Sequence, residues 1–250
     1  MLYENYLSSG FIHSPTEADP RRGFAELVLY NPTSEPSEAT MTVYFADREP
    51  RTLPPVPVKP ETNTLIVMPP LAPEVFTDCK FWGAKFLSTT PLMLNFINAI
   101  RIMDDKPRFR GGTTNFHGTK LHSQWYFPDG VWLDWNQYCQ GDLSKAPSPF
   151  NKMDFYYFLN PNPRDAEVAM TLQYRHLEPA TLRFSVRAER VFVWENRGNV
   201  PYNQPYAVKI VSSEPISTAA VRYVYGVRGL DEWGMQVHCS VYGVPGPVTG

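Results

Sequence analysis

The sequence predicts an all-β protein of two tandem β-sandwich domains that are related by internal duplication. The composition is the first observation: charged residues make up only 19% of the chain, aromatic residues make up 14%, and 25 of the 250 residues are proline. Such a composition favours short strands and turns over helices. The second observation is apolar–polar alternation in several short segments, and the third is that these segments occur twice in the same order.

The repeat is clearest where the spacing between matching residues stays constant. Over positions 27–50 seven residues are identical to those 129 positions later, and beyond residue 85 the spacing is 124. The matching pairs are Asn31-Pro32 with Asn160-Pro161, Glu49-Pro50 with Glu178-Pro179, and residues 85–88 with 209–212. We therefore expect a domain at 1–118, a second domain at 121–250, and a five-residue deletion in the second copy after the position of Pro50.

Each copy consists of predicted strands separated by turn residues. In the first copy Met41, Val43 and Phe45 share one face of a strand, which is the period-two pattern of a half-buried strand. No window of 12 or more residues has a convincing helical stripe. The predicted strand pairs are 27–30 with 156–159, 41–45 with 168–174, 64–68 with 191–194, 85–88 with 208–212, and 92–102 with 217–225, followed by 235–242.

The charge and cysteine content exclude several classes of partner and site. A formal net charge of −2 argues against nucleic acid as a partner. The three widely spaced cysteines match neither a disulfide framework nor a zinc site, which favours a reduced, cytoplasmic setting. The sequence shows no signal peptide and no apolar run long enough for a membrane span.

The sequence contains no pattern that predicts catalysis, a bound metal or a cofactor. There is no G-x-S-x-G element and the five histidines are scattered. His176 and Glu178 would share a strand face as metal ligands, but a solvated pair beside a turn is the better interpretation. The acidic pairs Asp104-Asp105 and Asp231-Glu232 would suit a glycosidase, although both lie in predicted loops. We therefore expect a protein that is not an enzyme.

The aromatic residues are more informative. Trp125 precedes Asp129, and Trp132, Trp135 and Tyr138 follow at intervals of three. Aromatic rings beside carboxylates suit the C–H face and the hydroxyls of a sugar, whereas packing in a core or interface is the alternative. In a strand the two later tryptophans would face opposite sides, and in a short helical turn they would share one side with the tyrosine.

Several of these segments resemble the sensory rhodopsin transducer family. Residues 41–50, Met-Thr-Val-Tyr-Phe-Ala-Asp-Arg-Glu-Pro, resemble the central strand and turn of that family, and Trp125 to Gly130 resembles its opening motif. Residues 214–216 followed by Arg222 resemble its penultimate strand. The first copy has Asn5 and Asn98 where the second has Trp125 and Arg222, so we expect the second copy to hold the better ligand site.

The resemblance implies β-sandwiches that assemble into tetramers and bind small molecules such as sugars, in bacteria that often have no rhodopsin. Applied to this chain, it implies a small-molecule sensor in which aromatic rings stack on the ligand and Arg222 donates hydrogen bonds. It also implies a homo-oligomer, a dimer whose four domains form a pseudo-tetramer. The alternatives are a structural or signalling adaptor without a ligand and, third, a carbohydrate-active enzyme. The candidate ligand-binding residues are Trp125, Asp129, Trp132, Trp135, His176, Glu178 and Arg222 in the second copy, with Asp47 and Glu49 in the first.

Overall fold

The structure is a computed structural model that describes residues 2–11, 21–68, 73–76, 81–102, 111–117, 120–148, 150–226, 235–242 and 244–245. At residues 11, 21–24, 73–74, 98–102, 111–117, 225–226 and those after 234, the description covers the backbone alone. The predicted all-β class is confirmed. Besides strands, this part of the chain holds the helices α1 (Pro73–Phe76) and α2 (Trp135–Tyr138) and a 3-10 turn (Leu143–Lys145). None of these helices has the length and apolarity that crossing a membrane requires.

The first half of the chain forms two antiparallel sheets, which we call front sheet 1 and back sheet 1. The strands are β1 (Tyr3–Phe11), β2 (Arg21–Tyr30), β3 (Ser37–Phe45), β4 (Arg51–Thr52), β5 (Val56–Val58), β6 (Asn63–Val67), β7 (Phe81–Ser88), β8 (Met93–Ile102) and β9 (Gly111–His117). Front sheet 1 has the order β1-β7-β3-β4, with β5 also paired to β3, and back sheet 1 has the order β6-β2-β8-β9.

The second half repeats this arrangement in front sheet 2 and back sheet 2. The strands are β10 (His122–Gly130), β11 (Phe150–Asn160), β12 (Ala166–Tyr174), β13 (Ala180–Val186), β14 (Arg190–Glu195), β15 (Tyr206–Gly226), β16 (Met235–Tyr242) and β17 (Val244–Pro245). The 21-residue β15 pairs first with β10 and β12 and then with β11 and β16, so it belongs to both sheets. The orders are β13-β12-β15-β10-β17 in front and β14-β11-β15-β16 behind, as in the first half apart from the added β17.

Equivalent side chains make the same hydrogen bonds in the two halves. Asn31 closes the turn after β2 by donating from Nδ2 to the carbonyl oxygen of Glu35 at 2.7 Å, and Asn160 donates to Arg164 at 2.8 Å after β11. The side-chain oxygen of each asparagine accepts from the backbone N–H two residues later, at 3.0 and 3.1 Å. Because Asn satisfies several turn groups at once, the same residue recurs at both positions. The Asn-Pro pairs thus occupy equivalent places, as expected of an internal duplication.

The expected five-residue deletion is split between two places. The second half lacks one residue where the first half connects β4 to β5, because the single strand β13 takes the place of both. It lacks four more residues between the strands equivalent to β6 and β7, where the first half contains α1. The equivalent pairs are Thr52 and Thr181 at a spacing of 129, Glu61 and Glu189 at 128, and Ser88 and Ser212 at 124.

The opening strands β1 and β10 are equivalent at a spacing of 120. Tyr6 pairs with Lys85 in the first half, and Tyr126 pairs with Lys209 in the second. This register agrees with the predicted match between Asn5 and Trp125. The extra residues of the second half therefore lie between β10 and β11, in the segment that contains α2 and the 3-10 turn.

Aromatic and aliphatic side chains fill the space between the two sheets of each half. In the second half Tyr156 and Phe158 of β11 face inward, and their rings lie 5.6 Å from Phe127 and 5.1 Å from Phe184 in the front sheet. Alternate residues of β11 face outward, as the period of a strand requires.

The outward face of back sheet 2 packs against front sheet 1. A separate buried cluster joins the halves there, formed by Tyr6, Tyr44, Leu159 and Val191. The two halves are therefore in direct apolar contact within one chain.

Candidate functional site

An arginine and two carboxylates meet at one end of the second sandwich. Arg222 of β15 lies directly across from Asp154 of β11. Its Nε donates to one Asp154 carboxylate oxygen at 2.8 Å and its Nη2 donates to the other at 3.0 Å. This two-point geometry matches the guanidinium fork to the carboxylate and is among the stronger hydrogen-bond arrangements in proteins.

The third member comes from the opposite sheet. Asp129, near the end of β10, accepts from Nη1 of Arg222 at 2.5 Å. The side chain of Asp154 is 3% exposed, that of Arg222 is 18% exposed and that of Asp129 is 61% exposed. The guanidinium therefore spans the gap between the two sheets, with one edge locked in the interior and another edge turned towards solvent.

Backbone and amide groups hold Asp154 in place. The N–H of Val131 donates to its carboxylate at 2.8 Å, and its own N–H donates to the side-chain oxygen of Asn196 at 2.9 Å. The Asn196 amide in turn donates to the carbonyl oxygen of Val131 and to the Tyr206 hydroxyl, both at 3.0 Å. Such a connected network of buried polar groups keeps the guanidinium in one orientation.

The electrostatics of the cluster keep Arg222 charged. Burial alone would lower the pKa of Arg222, but hydrogen bonds and charges from Asp154 and Asp129 raise the pKa above its ordinary value. Burial raises the pKa of Asp154, and the hydrogen bonds from Arg222 and Val131 oppose this rise. The arginine is consequently a fixed cation that offers hydrogen-bond donors at the end of the sandwich.

The equivalent positions of the first half lack the three charged residues of this cluster. The register of the strands makes Ala25 and Asn98 the equivalents of Asp154 and Arg222, because each pair lies directly across the back sheet. The equivalent of Asp129 is Ser9, which is buried.

The predicted aromatic residues are mostly packed inside. Trp125 is buried, and its indole N–H donates to the carbonyl oxygens of His122 and Ile216 at 3.1 and 3.0 Å. Trp132 and Trp135 are also buried, and each packs edge-on against Tyr202, with ring centres 5.8 and 6.4 Å apart. In this arrangement the faces of these three tryptophans are occupied by protein atoms.

Tyr138 is the exposed member of the second aromatic group. Asp134 caps the short helix α2 by accepting from the Asn136 N–H at 3.1 Å, and the helix places Trp135 and Tyr138 in contact, with ring centres 5.7 Å apart. The Tyr138 ring stacks on Tyr202 at 5.4 Å. The helical-turn alternative therefore describes Trp135 and Tyr138, whereas Trp132 lies before the helix.

Four further candidates lie outside the arginine cluster. His176 and Glu178 are exposed in the turn between β12 and β13. This turn is at the same end of front sheet 2 as Asp129. The turn follows β12 and Asp129 belongs to β10, and because β15 lies between these two strands, their backbones are about 10 Å apart. Asp47 and Glu49 belong to the first half, where Asp47 pairs with Arg48 at 3.1 Å and Glu49 pairs with Arg190 of β14. The acidic pairs Asp104-Asp105 and Asp231-Glu232 lie outside the described residues.

No metal centre coincides with the cluster in the described part of the chain. No group of three or more His, Cys, Asp or Glu residues suited to a metal ion occurs there. An open groove of about 470 Å³ lies elsewhere, near the start of β1. Its lining residues are Leu2, Tyr3, Glu4, Tyr6, Lys120 and Leu121.

Comparisons with known proteins show structural similarity over about half of the chain. The crystal structure of Thermotoga maritima 1070 is similar with a TM-score of 0.40 and 14% identity, over 51% of this chain and 97% of that one. The Anabaena sensory rhodopsin transducer is similar with a TM-score of 0.31 and 22% identity, over 40% of this chain and 96% of that one. A Bacteroides uniformis beta-glucuronidase matches with a TM-score of 0.20 and 8% identity, over 96% of this chain and 26% of that one. No protein family and no curated protein matches the sequence.

Proposed function

We propose that the second half of this chain binds a small polar molecule at the Arg222 cluster, without catalysing a reaction. The proposal rests on one observation: the guanidinium of Arg222 is paired with two carboxylates, one buried and the other exposed to solvent. The buried carboxylate, Asp154, fixes its position. The exposed carboxylate, Asp129, accepts from Nη1 on the side of the guanidinium that faces solvent.

The ion pair with Asp129 can be opened or shared by a ligand at little energetic expense. Exposed ion pairs contribute only about 0–1 kcal/mol, because water and salt screen them. A hydroxyl group can accept from Arg222 and donate to Asp129 at the same time. The pair therefore suits a polyol such as a sugar or sugar derivative.

Binding fits the cluster better than catalysis does. General acid–base work needs a carboxyl group that is free to exchange its proton with the substrate. The carboxylate of Asp154 already accepts three hydrogen bonds inside the protein, and Asp129 is paired with a permanent cation. A ligand-free adaptor is the second candidate, which the burial of Trp132 and Trp135 favours.

The test is thermal-shift screening against sugars, sugar acids and other polar metabolites, followed by calorimetry on any hit. Asp129→Asn should weaken binding of the hit at least tenfold and leave the melting temperature of the free protein nearly unchanged. Asp47→Asn, an exposed carboxylate of the first half that also pairs with an arginine, is the matched control and should not alter binding.

The outcomes separate the candidate functions. A hit that Asp47→Asn abolishes and Asp129→Asn leaves intact would place the ligand in the first half. No hit across a broad library would favour the adaptor. Chemical conversion of the hit during incubation would favour the enzyme.

A further inference from the structure

The open groove near the start of β1 lies where the two halves of the chain meet. Residues at the beginning of β1 line it together with Lys120 and Leu121, which immediately precede β10. Its volume of about 470 Å³ is within the range of about 300–1,000 Å³ that is typical of small-molecule sites. Leu121 also packs against the buried cluster that joins the halves, so the groove borders that junction.

Two lysines approach one glutamate beside this groove. Nζ of Lys85 lies 2.8 Å from one carboxylate oxygen of Glu4, and the Tyr6 hydroxyl donates to the other oxygen at 2.8 Å. Lys120 donates instead to the backbone carbonyl oxygen of Glu4. Among the described residues, Lys120 forms no ion pair with a carboxylate. The groove therefore has one positive charge more than it has negative charges.

The side chains beside Lys120 add apolar surface. Leu2 is 60% exposed and Tyr3 is 37% exposed, while Leu121 is half-buried. Single exposed apolar residues are ordinary, but these three line one groove together with an unbalanced cation. The groove thus combines a surface for an apolar body with a donor for an anionic group.

We propose that this groove binds a small amphipathic carboxylate, a molecule with one carboxylate group and an aromatic or aliphatic body. Lys120 donates a charge-assisted hydrogen bond to the carboxylate of the ligand. Leu2, Tyr3 and Leu121 contact its apolar body. The ligand carries a single negative charge, because one cation of the groove is left without a carboxylate.

The groove is separate from the Arg222 cluster. Leu121 precedes β10, whereas Asp129 lies near the end of this nine-residue strand. At a rise of about 3.3 Å per residue, the two sites are roughly 25 Å apart. This inference therefore does not rest on the proposed function, and either can fail without the other.

Saturation-transfer NMR and calorimetric titration test the groove, with 3-phenylpropionate and hexanoate as probes and the amide of each acid as its neutral counterpart. At least one acid should bind, and its amide should bind at least about fivefold more weakly, because the amide lacks the charge that pairs with Lys120. Lys120→Gln should lower the affinity for the acid to that for the amide, and Lys120→Arg should preserve it. Tyr3→Ala should weaken the acid and the amide by the same factor.

Lys145→Gln is the matched control and should leave the affinity for the acid unchanged, because Lys145 is an exposed lysine of the 3-10 turn, outside the groove. Lys120 is itself exposed, so Lys120→Gln should keep the melting temperature of the free protein. The proposal is overturned if neither acid binds, if acid and amide bind equally, or if Lys120→Gln leaves the affinity for the acid unchanged. Binding that survives Lys120→Gln and is lost in Asp129→Asn would place the acid at Arg222, which overturns this inference and supports the proposed function.

Discussion

Replacing Arg222 by asparagine should destabilise the second half strongly, although the same residue type is found at the equivalent position of the first half. Asn98 lies across from Ala25 there, so no carboxylate needs a partner. In the Arg222→Asn variant the carboxylate of Asp154 stays buried at 3% exposure without its cation. Removing one partner of a buried ion pair typically destabilises a protein by about 3–5 kcal/mol.

The double variant Asp154→Ala/Arg222→Asn recreates the pair of the first half and should be less destabilised than the single variant. Its remaining defect is the N–H of Val131, which loses its acceptor at 2.8 Å and costs about 1–3 kcal/mol. The double variant should therefore be more stable than Arg222→Asn by about 2 kcal/mol. For a chain of this size the single variant should melt about 6–20 °C below the parent protein.

The assay is urea and thermal unfolding of the ligand-free proteins, followed by circular dichroism. Asp129→Asn is the control, because it removes the exposed partner and should change the free energy of unfolding by less than about 1 kcal/mol. Burial raises the pKa of Asp154, and Arg222→Asn lacks the arginine that opposes this rise. The loss of stability in Arg222→Asn should therefore become smaller as the pH is lowered and the Asp154 carboxyl group is protonated. Equal stability of the single and double variants would refute the view of Asp154 and Arg222 as one buried unit.

Three further predictions concern residues outside the ion pair. Trp125→Phe should lower stability by about 1–3 kcal/mol, since two carbonyl oxygens lose their donor, and calorimetry should find ligand affinity unchanged. Gly130→Ala should destabilise by about 1–3 kcal/mol in urea unfolding, because a Cβ at this position would lie 2.2 Å from the Tyr206 ring. A hydrogen bond from Lys85, a hydrogen bond from Tyr6 and the charge of Lys85 lower the pKa of Glu4. The stability that Glu4 provides is therefore complete above the pKa of Glu4 in the unfolded chain, and it is lost as the pH falls through the lower pKa of the folded protein. Thermal scans should accordingly show Glu4→Gln below the parent protein near neutral pH and no different from it at strongly acidic pH.

The strands of this fold could be predicted from the sequence because their burial is one-sided. In β3 and β12 an inward apolar residue alternates with an outward polar one, and the buried pattern follows the predicted faces. The continuous strand β15 was less predictable. Its residues 213–216 correspond to the connection between β7 and β8, which are separate strands in the first half. Local alternation does not indicate whether a strand passes from one sheet to the next.

The site could be predicted only in part. Arg222 and Asp129 were candidates because they lie in segments that resemble the transducer motifs, but Asp154 was missed. A usable signal was present, since Asp154 is the one acidic residue in the apolar run from Met153 to Leu159 and shares the inward face with Tyr156. The tryptophans illustrate the opposite limit, because ring type does not reveal whether neighbouring residues leave a face open. Trp132 and Trp135 are covered by Tyr202, which lies far away in the sequence.

The two halves differ where their surroundings differ. Tyr6 is covered by the other half while its equivalent Tyr126 is not, so equivalent positions experience different constraints within one chain. The arginine cluster lies on the inner side of back sheet 2, at the end of the second sandwich, whereas the junction with the first half covers the outer side of the same sheet. Asp129→Asn should therefore weaken a ligand without disturbing the contact between the halves.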